Sequence, residues 1–361
     1  MKRITTTLSL SLCCLLPLTS EARTLGPVTR TPIRTSTTTN VFQPQPEAKK
    51  TTPLIGAVVQ QAEPPTLDRS RFKACAVDVE TDDAFTCIRR GDGTAECFGY
   101  NPPSLSGRFM DIDTGRNSFC GVRVDGYLVC DESPGYATGV ANPPYPPNPN
   151  LPFRQVSAGV SHACAVDDLG QVKCWGTDRE GQVSGAPQGA GFSEVAAGGD
   201  QTCALTTNGA VECWGDMRQG DWVGPPPESF VSINADTWTH CGISTNGGLY
   251  CWGDPSGPLV FANPPGGRYT AADPGVWDAC ALESNGTARC WSPRRGNQYG
   301  LSSNVPSANF VDVAAGYHHA CGITDDDRVL CWGRNGWGEG SPPTLLCNPD
   351  AKVDWETGYI Y

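Results

Sequence analysis

The sequence predicts an all-β fold, a seven-bladed β-propeller with one intra-hairpin disulfide in each blade. Three observations lead to this prediction. An eleven-residue stretch that begins and ends with cysteine occurs seven times, its copies start 33 to 44 residues apart, and no helical pattern of apolar residues appears between them. Units of about 40 residues with three or four short strands are typical of propeller blades. Closing such a ring also removes the exposed sheet edges that an open stack leaves.

Each copy of the repeat is predicted to form a β-hairpin, and Cys203–Cys213 is the clearest example. Gly209 ends a three-residue loop, because glycine adopts positive φ without strain. That loop places the two cysteines opposite each other and an apolar residue of one strand opposite an apolar residue of the next. Only the first copy departs from this pattern, since Arg89 there faces Ala95.

We expect a disulfide in every hairpin, because the Cα atoms of facing residues are close enough for one. The chain-entropy model gives about 2.5–3 kcal/mol of stabilisation for each short loop closed. Seven pairs of reduced thiols are the alternative. Zinc fits less well, since its sites usually bring cysteines two to four residues apart. The predicted bridges are Cys87–Cys97, Cys120–Cys130, Cys164–Cys174, Cys203–Cys213, Cys241–Cys251, Cys280–Cys290 and Cys321–Cys331.

Two further cysteines are predicted to close the ring. Of the 18 cysteines, two lie in the N-terminal segment and 14 in the hairpins, which leaves Cys75 and Cys347. Cys75 precedes the first opening strand, and Cys347 lies about where an eighth opening strand would begin. These places coincide in a closed ring, so we expect a Cys75–Cys347 disulfide, with two unpaired thiols as the alternative. Peptide mapping without reductant distinguishes the two.

The N-terminal part of the chain differs from the repeat array, which occupies residues 71–361. Residues 1–22 are predicted to be a secretory signal peptide, with an apolar core over residues 8–18 that is too short to span a membrane. Residues 23–70 are predicted to be a Thr/Pro-rich disordered linker, because they lack apolar periodicity. Export would explain the disulfides, so we expect a secreted, extracellular protein without membrane insertion.

The charge of the chain bears on the class of partner. The formal net charge is −12, and residues beyond 70 carry 18 basic and 34 acidic side chains. A surface of this sign repels phosphate, so no nucleic acid partner is expected.

The repeat also resembles a known family. Val-Ala-Ala-Gly ahead of the first cysteine, a turn glycine, and Val-x-Cys-Trp-Gly at the end resemble the repeat of the regulator of chromosome condensation family. Trp332-Gly-Arg-Asn-Gly-Trp-Gly338 is similar to that family's Gly-x-Asn-x-x-Gly tail. The resemblance covers essentially all of residues 71–361 and implies a seven-bladed propeller that binds proteins. Cysteine at both hairpin positions departs from the nuclear members and suits a secreted branch, so their nucleotide-exchange activity is not carried over.

No pattern of catalytic or metal-binding residues is visible, so neither an enzyme nor a cofactor is expected. None of the four histidines has a helical zinc-binding spacing, and no Ser-His-Asp set is apparent. His162 and His319 stand where the family's repeat usually has a structural histidine. The acidic runs at residues 82–83 and 325–327 lack the alternating pattern of a calcium loop and are interpreted as solvated turns.

The loops between the first strand and the hairpin of each repeat are the candidate binding site. The strand and turn positions of the repeat hold the same residue types in most copies, whereas the residues in these loops vary. The geometry of a propeller blade places all of these loops on one face of the ring. The tryptophans at residues 238 and 277 would suit a binding hot spot, and the alternative is that both pack between blades. The candidate binding residues are Arg116, Asn117, Asp200, Trp238, Trp277, Tyr317 and His318. The recurrent tryptophans after the second cysteine are predicted to be core: Trp175, Trp214, Trp252, Trp291 and Trp332.

These observations predict a secreted module for protein–protein recognition through one loop face, with an unidentified protein as partner. One alternative is an enzyme inhibitor that resembles the β-lactamase inhibitor protein with this type of propeller. Another is a carbohydrate-binding or carbohydrate-active propeller, either a lectin, since exposed tryptophan with aspartate suits glycans, or a hydrolase, since glycosidases need two carboxylates at a defined separation. Asn285-Gly-Thr287 is a glycosylation sequon in a predicted hairpin turn.

Overall fold

Seven antiparallel three-stranded sheets make up the computed structural model, and each sheet is built from three consecutive strands. The predicted all-β propeller with seven blades is therefore confirmed. The predicted signal peptide and linker, Asn117, Cys75 and Cys347 lie outside the described residues. The described residues are 76–116, 118–133, 138–145, 151–217, 222–254, 264–292, 297 and 299–343.

The strands follow the chain in order. Blade 1 contains β1 (Ala76–Thr81), β2 (Phe85–Arg90) and β3 (Ala95–Gly99), and blade 2 contains β4 (Phe109–Gly115), β5 (Ser118–Arg123) and β6 (Leu128–Glu132). Blade 3 contains β7 (Phe153–Ala158), β8 (His162–Asp167) and β9 (Val172–Gly176), and blade 4 contains β10 (Phe192–Ala197), β11 (Gln201–Thr206) and β12 (Val211–Gly215). Blade 5 contains β13 (Phe230–Ala235), β14 (Thr239–Ser244) and β15 (Leu249–Gly253), and blade 6 contains β16 (Tyr269–Pro274), β17 (Ala279–Glu283) and β18 (Ala288–Trp291). Blade 7 contains β19 (Phe310–Ala315), β20 (His319–Thr324) and β21 (Val329–Gly333).

The hairpins have the register that the repeat predicts. Cys203 faces Cys213, and Leu205 faces Val211. All seven intra-hairpin disulfides are present, with Cα atoms 4.0–4.1 Å apart. The six turn glycines have φ between 76° and 88°, and Asp327, which replaces glycine in the seventh turn, has φ of 66°. The residue types at the turn therefore match the backbone conformation that a three-residue hairpin loop requires.

The recurrent tryptophans lie in the core between blades, as predicted. All five are at most 8% exposed. Three of them also tie their blade to a connecting segment of the preceding one: the indole Nε1 of Trp175 donates to the Val140 carbonyl at 2.8 Å, and those of Trp214 and Trp332 make the same bond to the carbonyls of Gln182 and Leu301. These three tryptophans therefore supply both apolar contact and a satisfied polar group, whereas the Trp291 Nε1 is buried without a hydrogen-bond partner among the described residues.

Blade 7 packs directly against blade 1, which closes the ring. Ile88 of β2 and Ile323 of β20 share one buried apolar cluster. The His319 Nε2 and Thr86 Oγ1 atoms are 2.7 Å apart across this seam, and His162 makes the equivalent bond to Thr202 across the seam between blades 3 and 4 at 2.6 Å. Burial lowers the pKa of both histidines to about 4, so both rings are neutral at physiological pH. These histidines hold neighbouring blades together, in the structural position that the family resemblance implies.

Candidate functional site

Strand direction divides the ring into two faces. In each blade the first strand ends, the second begins and the third ends at the same edge, as the pairing of Phe85 with Gly99 shows. The loops between first and second strands therefore lie together on what we call the loop face. The hairpin turns, with Gly209 as an example, lie at the opposite end, which we call the hairpin face.

A backbone hydrogen bond fixes the variable position of the loop face, three residues before the first cysteine. In blade 5 the Asp254 N–H donates to the Trp238 carbonyl at 3.0 Å. Gly253, just before the donor, has φ of 140°, and a Cβ atom there would lie 2.3 Å from the same carbonyl oxygen. The bond recurs as Tyr100–Ala84, Thr177–Ser161, Asp216–Asp200, Asp254–Trp238 and Arg334–His318. The Trp-Gly framework thus holds the backbone of this position while its side chain differs between blades.

The two tryptophans of the candidate site are partly exposed. Trp238 is 40% exposed and Trp277 is 39% exposed. Arg116 and Asp200 are exposed as well, whereas Tyr317 and His318 are half-buried. All five loops that carry these residues open on the loop face.

Three of the predicted residues come together in one aromatic group. The ring centroids of Trp277 and Tyr317 are 6.4 Å apart, and those of Tyr317 and His318 are 4.3 Å apart. Tyr299, from the connection between blades 6 and 7, adds a fourth ring 4.7 Å from His318. All three pairs are T-shaped, the arrangement that aromatic quadrupoles favour. Burial lowers the pKa of His318, which favours the neutral ring.

A second aromatic group adjoins the first. The Trp337 ring lies 5.6 Å from that of Tyr100, and the Arg334 guanidinium stacks over it at 3.8 Å. The Arg334 N–H donates to the His318 carbonyl at 2.9 Å, which links the two groups through the backbone. Tyr100, Trp277, Tyr299, Tyr317, His318 and Trp337 form what we call the aromatic patch, which spans blades 6, 7 and 1.

The loop that carries Trp337 is held from beneath by a buried carboxylate. Glu339 is fully buried and accepts hydrogen bonds from the N–H groups of Gly336 at 3.2 Å and Trp337 at 2.6 Å. The Glu339 carbonyl accepts a further bond from Thr86 of blade 1 at 2.9 Å. This part of the patch is therefore anchored to the seam between blades 7 and 1.

Other predicted site residues lie apart from the aromatic patch. Asp200 accepts a hydrogen bond from the Gln182 side chain at 3.2 Å, and Arg116 lines the mouth of the central channel. Trp238 makes no ring contact with the patch within the described part of the chain. Tyr100, Tyr299 and Trp337 were not predicted, because they follow third strands or lie between blades.

The central channel is lined by the first strands of all seven blades. Carboxylates of these first strands tie neighbouring blades together: Asp111 accepts the Val156 N–H at 2.8 Å, and Asp312 accepts the Val79 N–H at 3.1 Å. Asp113, Glu194 and Asp273 make the equivalent bond to the next blade at 2.7–2.8 Å. We call the following residues, at or next to the first strands, the channel carboxylates, of which Glu80, Asp113, Asp236 and Asp273 line the cavity itself: Asp78, Glu80, Asp111, Asp113, Glu194, Asp236, Asp273 and Asp312.

Burial dominates the electrostatics of the channel. It raises the pKa of Asp113 and Asp312 to about 7 and that of Asp236 to about 6, and neighbouring carboxylates add to the rise. Asp78 differs because Arg89 donates to it at 3.0 Å. The arginine that breaks the apolar pattern of the first repeat thus compensates a channel carboxylate. No three His, Cys, Asp or Glu side chains of the described residues converge closely enough to hold a metal ion.

Three segments of the chain, residues 153–182, 192–221 and 310–339, match the family model of the regulator of chromosome condensation (RCC1) repeat. The chain contains RCC1-type repeats. The resemblance found in the sequence is thereby confirmed, and these three segments include the whole of blades 3, 4 and 7 through their third strands. No curated protein matches the chain by sequence.

Solved structures with similar folds include two plant receptor-kinase ectodomains and a yeast protein. The ectodomain of the Physcomitrella patens receptor kinase CR4 has 24% identity and a TM-score of 0.58 over 71% of this chain and 72% of that one. The ectodomain of the Arabidopsis thaliana receptor kinase ACR4 has 22% identity and a TM-score of 0.56 over 76% and 98%. Prp20p from Saccharomyces cerevisiae has 14% identity and a TM-score of 0.53 over 69% and 83%. At these identities the likeness establishes the fold. Among the described residues there is no helix with the length and apolar character needed to cross a bilayer.

Proposed function

We propose that this RCC1-type propeller is an extracellular binding module that recognises a protein through the aromatic patch of its loop face. The observation that carries the proposal is the distribution of exposed aromatic side chains. The described residues contain five of them, all on the loop face: Tyr100, Trp238, Trp277, Tyr299 and Trp337. Aromatic residues that are partly exposed and rigidly held are typical of binding hot spots.

Two further observations support the proposal. Seven disulfides persist in an oxidising compartment, which favours an extracellular location. Prp20p, a structural neighbour, is described as binding Gsp1p and histones, so a propeller of this fold can serve as a protein-binding scaffold. The side chains of the patch are held by contacts with one another, which suits a preformed binding surface.

The experiment compares variants of the two faces. The wild-type chain, the Trp277→Ala/Trp337→Ala double variant and the hairpin-face control Val231→Ala/Val311→Ala are immobilised and exposed to extracellular fluid, and retained proteins are quantified. A partner retained by the wild type and the control should be lost by the patch variant. Measured with that partner, the affinity should fall by about 2 kcal/mol or more per tryptophan, which is about thirtyfold.

Other outcomes would contradict the proposal. Equal retention by the patch variant and the wild type would show that the patch is not the site, and a large loss of thermal stability in Trp277→Ala would identify a structural role. Trp238→Ala, tested separately, shows whether the binding surface extends to blade 5. Retention of glycans rather than proteins on an array would favour the carbohydrate-binding alternative, and stoichiometric inhibition of a retained hydrolase would identify an inhibitor.

A further inference from the structure

Glu80 differs from its neighbours in the central channel. Asp113 and Asp273, at the same strand position in blades 2 and 6, each accept a backbone N–H of the next blade. Glu80 makes no side-chain hydrogen bond within the described part of the chain, because the N–H of Thr114, its potential partner, donates to Asp113 instead. The charged groups that most affect it are all carboxylates: Asp78, Asp113, Asp273 and Asp312. The Glu80 carboxylate is thus a hydrogen-bond acceptor without a donor, and the acidic groups around it carry the same negative charge.

The cavity above Glu80 joins the aromatic patch. It is lined by all seven blades, and Tyr317 of the patch lies on its rim. Its volume is about 40 Å³, room for about three water molecules. Pockets for sugars and other small ligands are typically about 300 Å³ or larger. The space suits the end of a single side chain that enters from the loop face.

The chemistry of the cavity favours an organic cation. Its lining includes the carboxylates of Glu80, Asp113, Asp236 and Asp273, and the one cation on its rim is Arg116. Arg89, on β2, already pairs with Asp78. Because these carboxylates do not converge on one point, they are poorly arranged for a metal ion. Separate acceptors around a narrow space are well arranged for an ammonium or guanidinium group, which has several N–H donors directed apart.

We infer that the channel mouth receives one lysine or arginine side chain of the protein bound at the aromatic patch, and that Glu80 pairs with it. This inference rests on the proposed function, since the patch holds the body of the partner beside the mouth. The charges are complementary, and Tyr317 makes the two surfaces continuous. Burial and the neighbouring carboxylates raise the pKa of Glu80 well above its ordinary range, so a bound cation would stabilise the charged form that these surroundings disfavour.

The inference is tested with blocked amino acids before any partner is known. The probes are Nα-acetyl-arginine methylamide and Nα-acetyl-lysine methylamide, with the norleucine analogue as the uncharged control, and binding to the full chain is followed by NMR titration. One or both cationic probes should bind while norleucine does not, and their affinity should rise between pH 6 and pH 8 as the channel loses protons. Glu80→Gln should weaken binding at least fivefold. Glu212→Gln, which removes an exposed carboxylate of β12, should leave it unchanged.

Several results would overturn the inference. Absence of cation binding, equal binding to both variants, or displacement of the probes by micromolar calcium would each do so. With the protein partner in hand, the two proposals separate. If Trp277→Ala weakens the complex and Glu80→Gln does not, the patch is the binding site and the cation inference is wrong. If Glu80→Gln weakens the complex and reduces its salt dependence while Trp277→Ala has no effect, the channel binds without the patch and the proposed function is wrong.

Discussion

The loop face and the hairpin face are built from the same repeat, yet they expose different chemistry. On the hairpin face the carbonyl of each turn glycine, such as Gly209, accepts the N–H of the aromatic residue that opens the next blade, at 2.7–3.1 Å in six blades. The exposed apolar residues beside these bonds are aliphatic, with Val231 and Val311 as examples. On the loop face the exposed apolar residues include every exposed aromatic of the described chain. The repeat thus fixes the backbone at both ends, and the two faces differ in that the exposed aromatic side chains lie on the loop face.

The largest expected effect distinguishes the glycines of the two faces. Gly253→Ala should lower the free energy of unfolding by about 3 kcal/mol, because the new Cβ would lie 2.3 Å from the Trp238 carbonyl and φ is 140°. Gly247→Ala should cost only about 1 kcal/mol, since its nearest neighbour, the Arg268 Cβ, is 3.5 Å away. Chemical denaturation measures both. Equal losses would mean that the loop face is no more tightly constrained than the hairpin face.

The next largest effect is a pH dependence of stability that arises from the channel carboxylates. The pKa of Asp113 is about 7 in the folded protein against an ordinary 3.8, so its stabilising contribution is full below pH 3.8 and is lost as pH rises through 7. The pKa of His162 is lowered to about 4 from 6.5, so its contribution is full above pH 6.5 and is lost as pH falls through 4. Above pH 6.5 only the carboxylates act, and Tm should therefore rise as pH is lowered from 8.5 to 6.5.

Asp113→Asn is the matched variant for this pH dependence, because an asparagine keeps an oxygen that can accept the Ala158 N–H but does not titrate. The rise in Tm between pH 8.5 and 6.5 should be smaller in this variant than in the wild type. If the wild-type Tm stays constant or decreases as pH is lowered from 8.5 to 6.5, ionisation of the channel carboxylates does not reduce the stability of the fold.

The smallest effect is expected on the hairpin face. Val311 is 52% exposed, so Val311→Ser should change the free energy of unfolding by less than about 0.5 kcal/mol. It should also leave partner affinity unchanged, in contrast to substitutions in the aromatic patch. Calorimetry and a binding titration check both values. Loss of affinity in this variant would place a binding surface on the hairpin face.

Much of the fold could be predicted because each hairpin is local. The spacing of Cys203 and Cys213 and the turn glycine between them determine the register and the disulfide of that hairpin without knowledge of any other blade, and the number of copies gives the number of blades. The candidate site was predicted only in part. Comparison of two adjacent loop positions among the repeats found Trp277, Tyr317 and His318, which do meet, and also Trp238, which lies apart from them.

The remainder of the site depends on contacts between blades. Tyr299 and Trp337 join the patch because connecting segments fold back over the loop face. Neither residue occupies a recurrent position of the repeat, so the repeat does not predict where these segments run. The channel carboxylates did leave a signal, since acidic residues recur nine positions before the first cysteine at Asp78, Asp111, Glu194 and Asp312. Their buried, mutually repelling arrangement arises only when the ring closes and brings all the first strands around one axis.

The ten-residue spacing of the disulfides has a consequence for how the chain matures. Each of the seven bridges joins two strands of one hairpin, so a cysteine finds its partner without a search through distant chain. As a chain emerges gradually into an oxidising compartment, every bridge can form once its own eleven residues have arrived. Correct pairing therefore does not require an assembled ring, and we expect maturation to depend little on enzymes that rearrange mispaired cysteines.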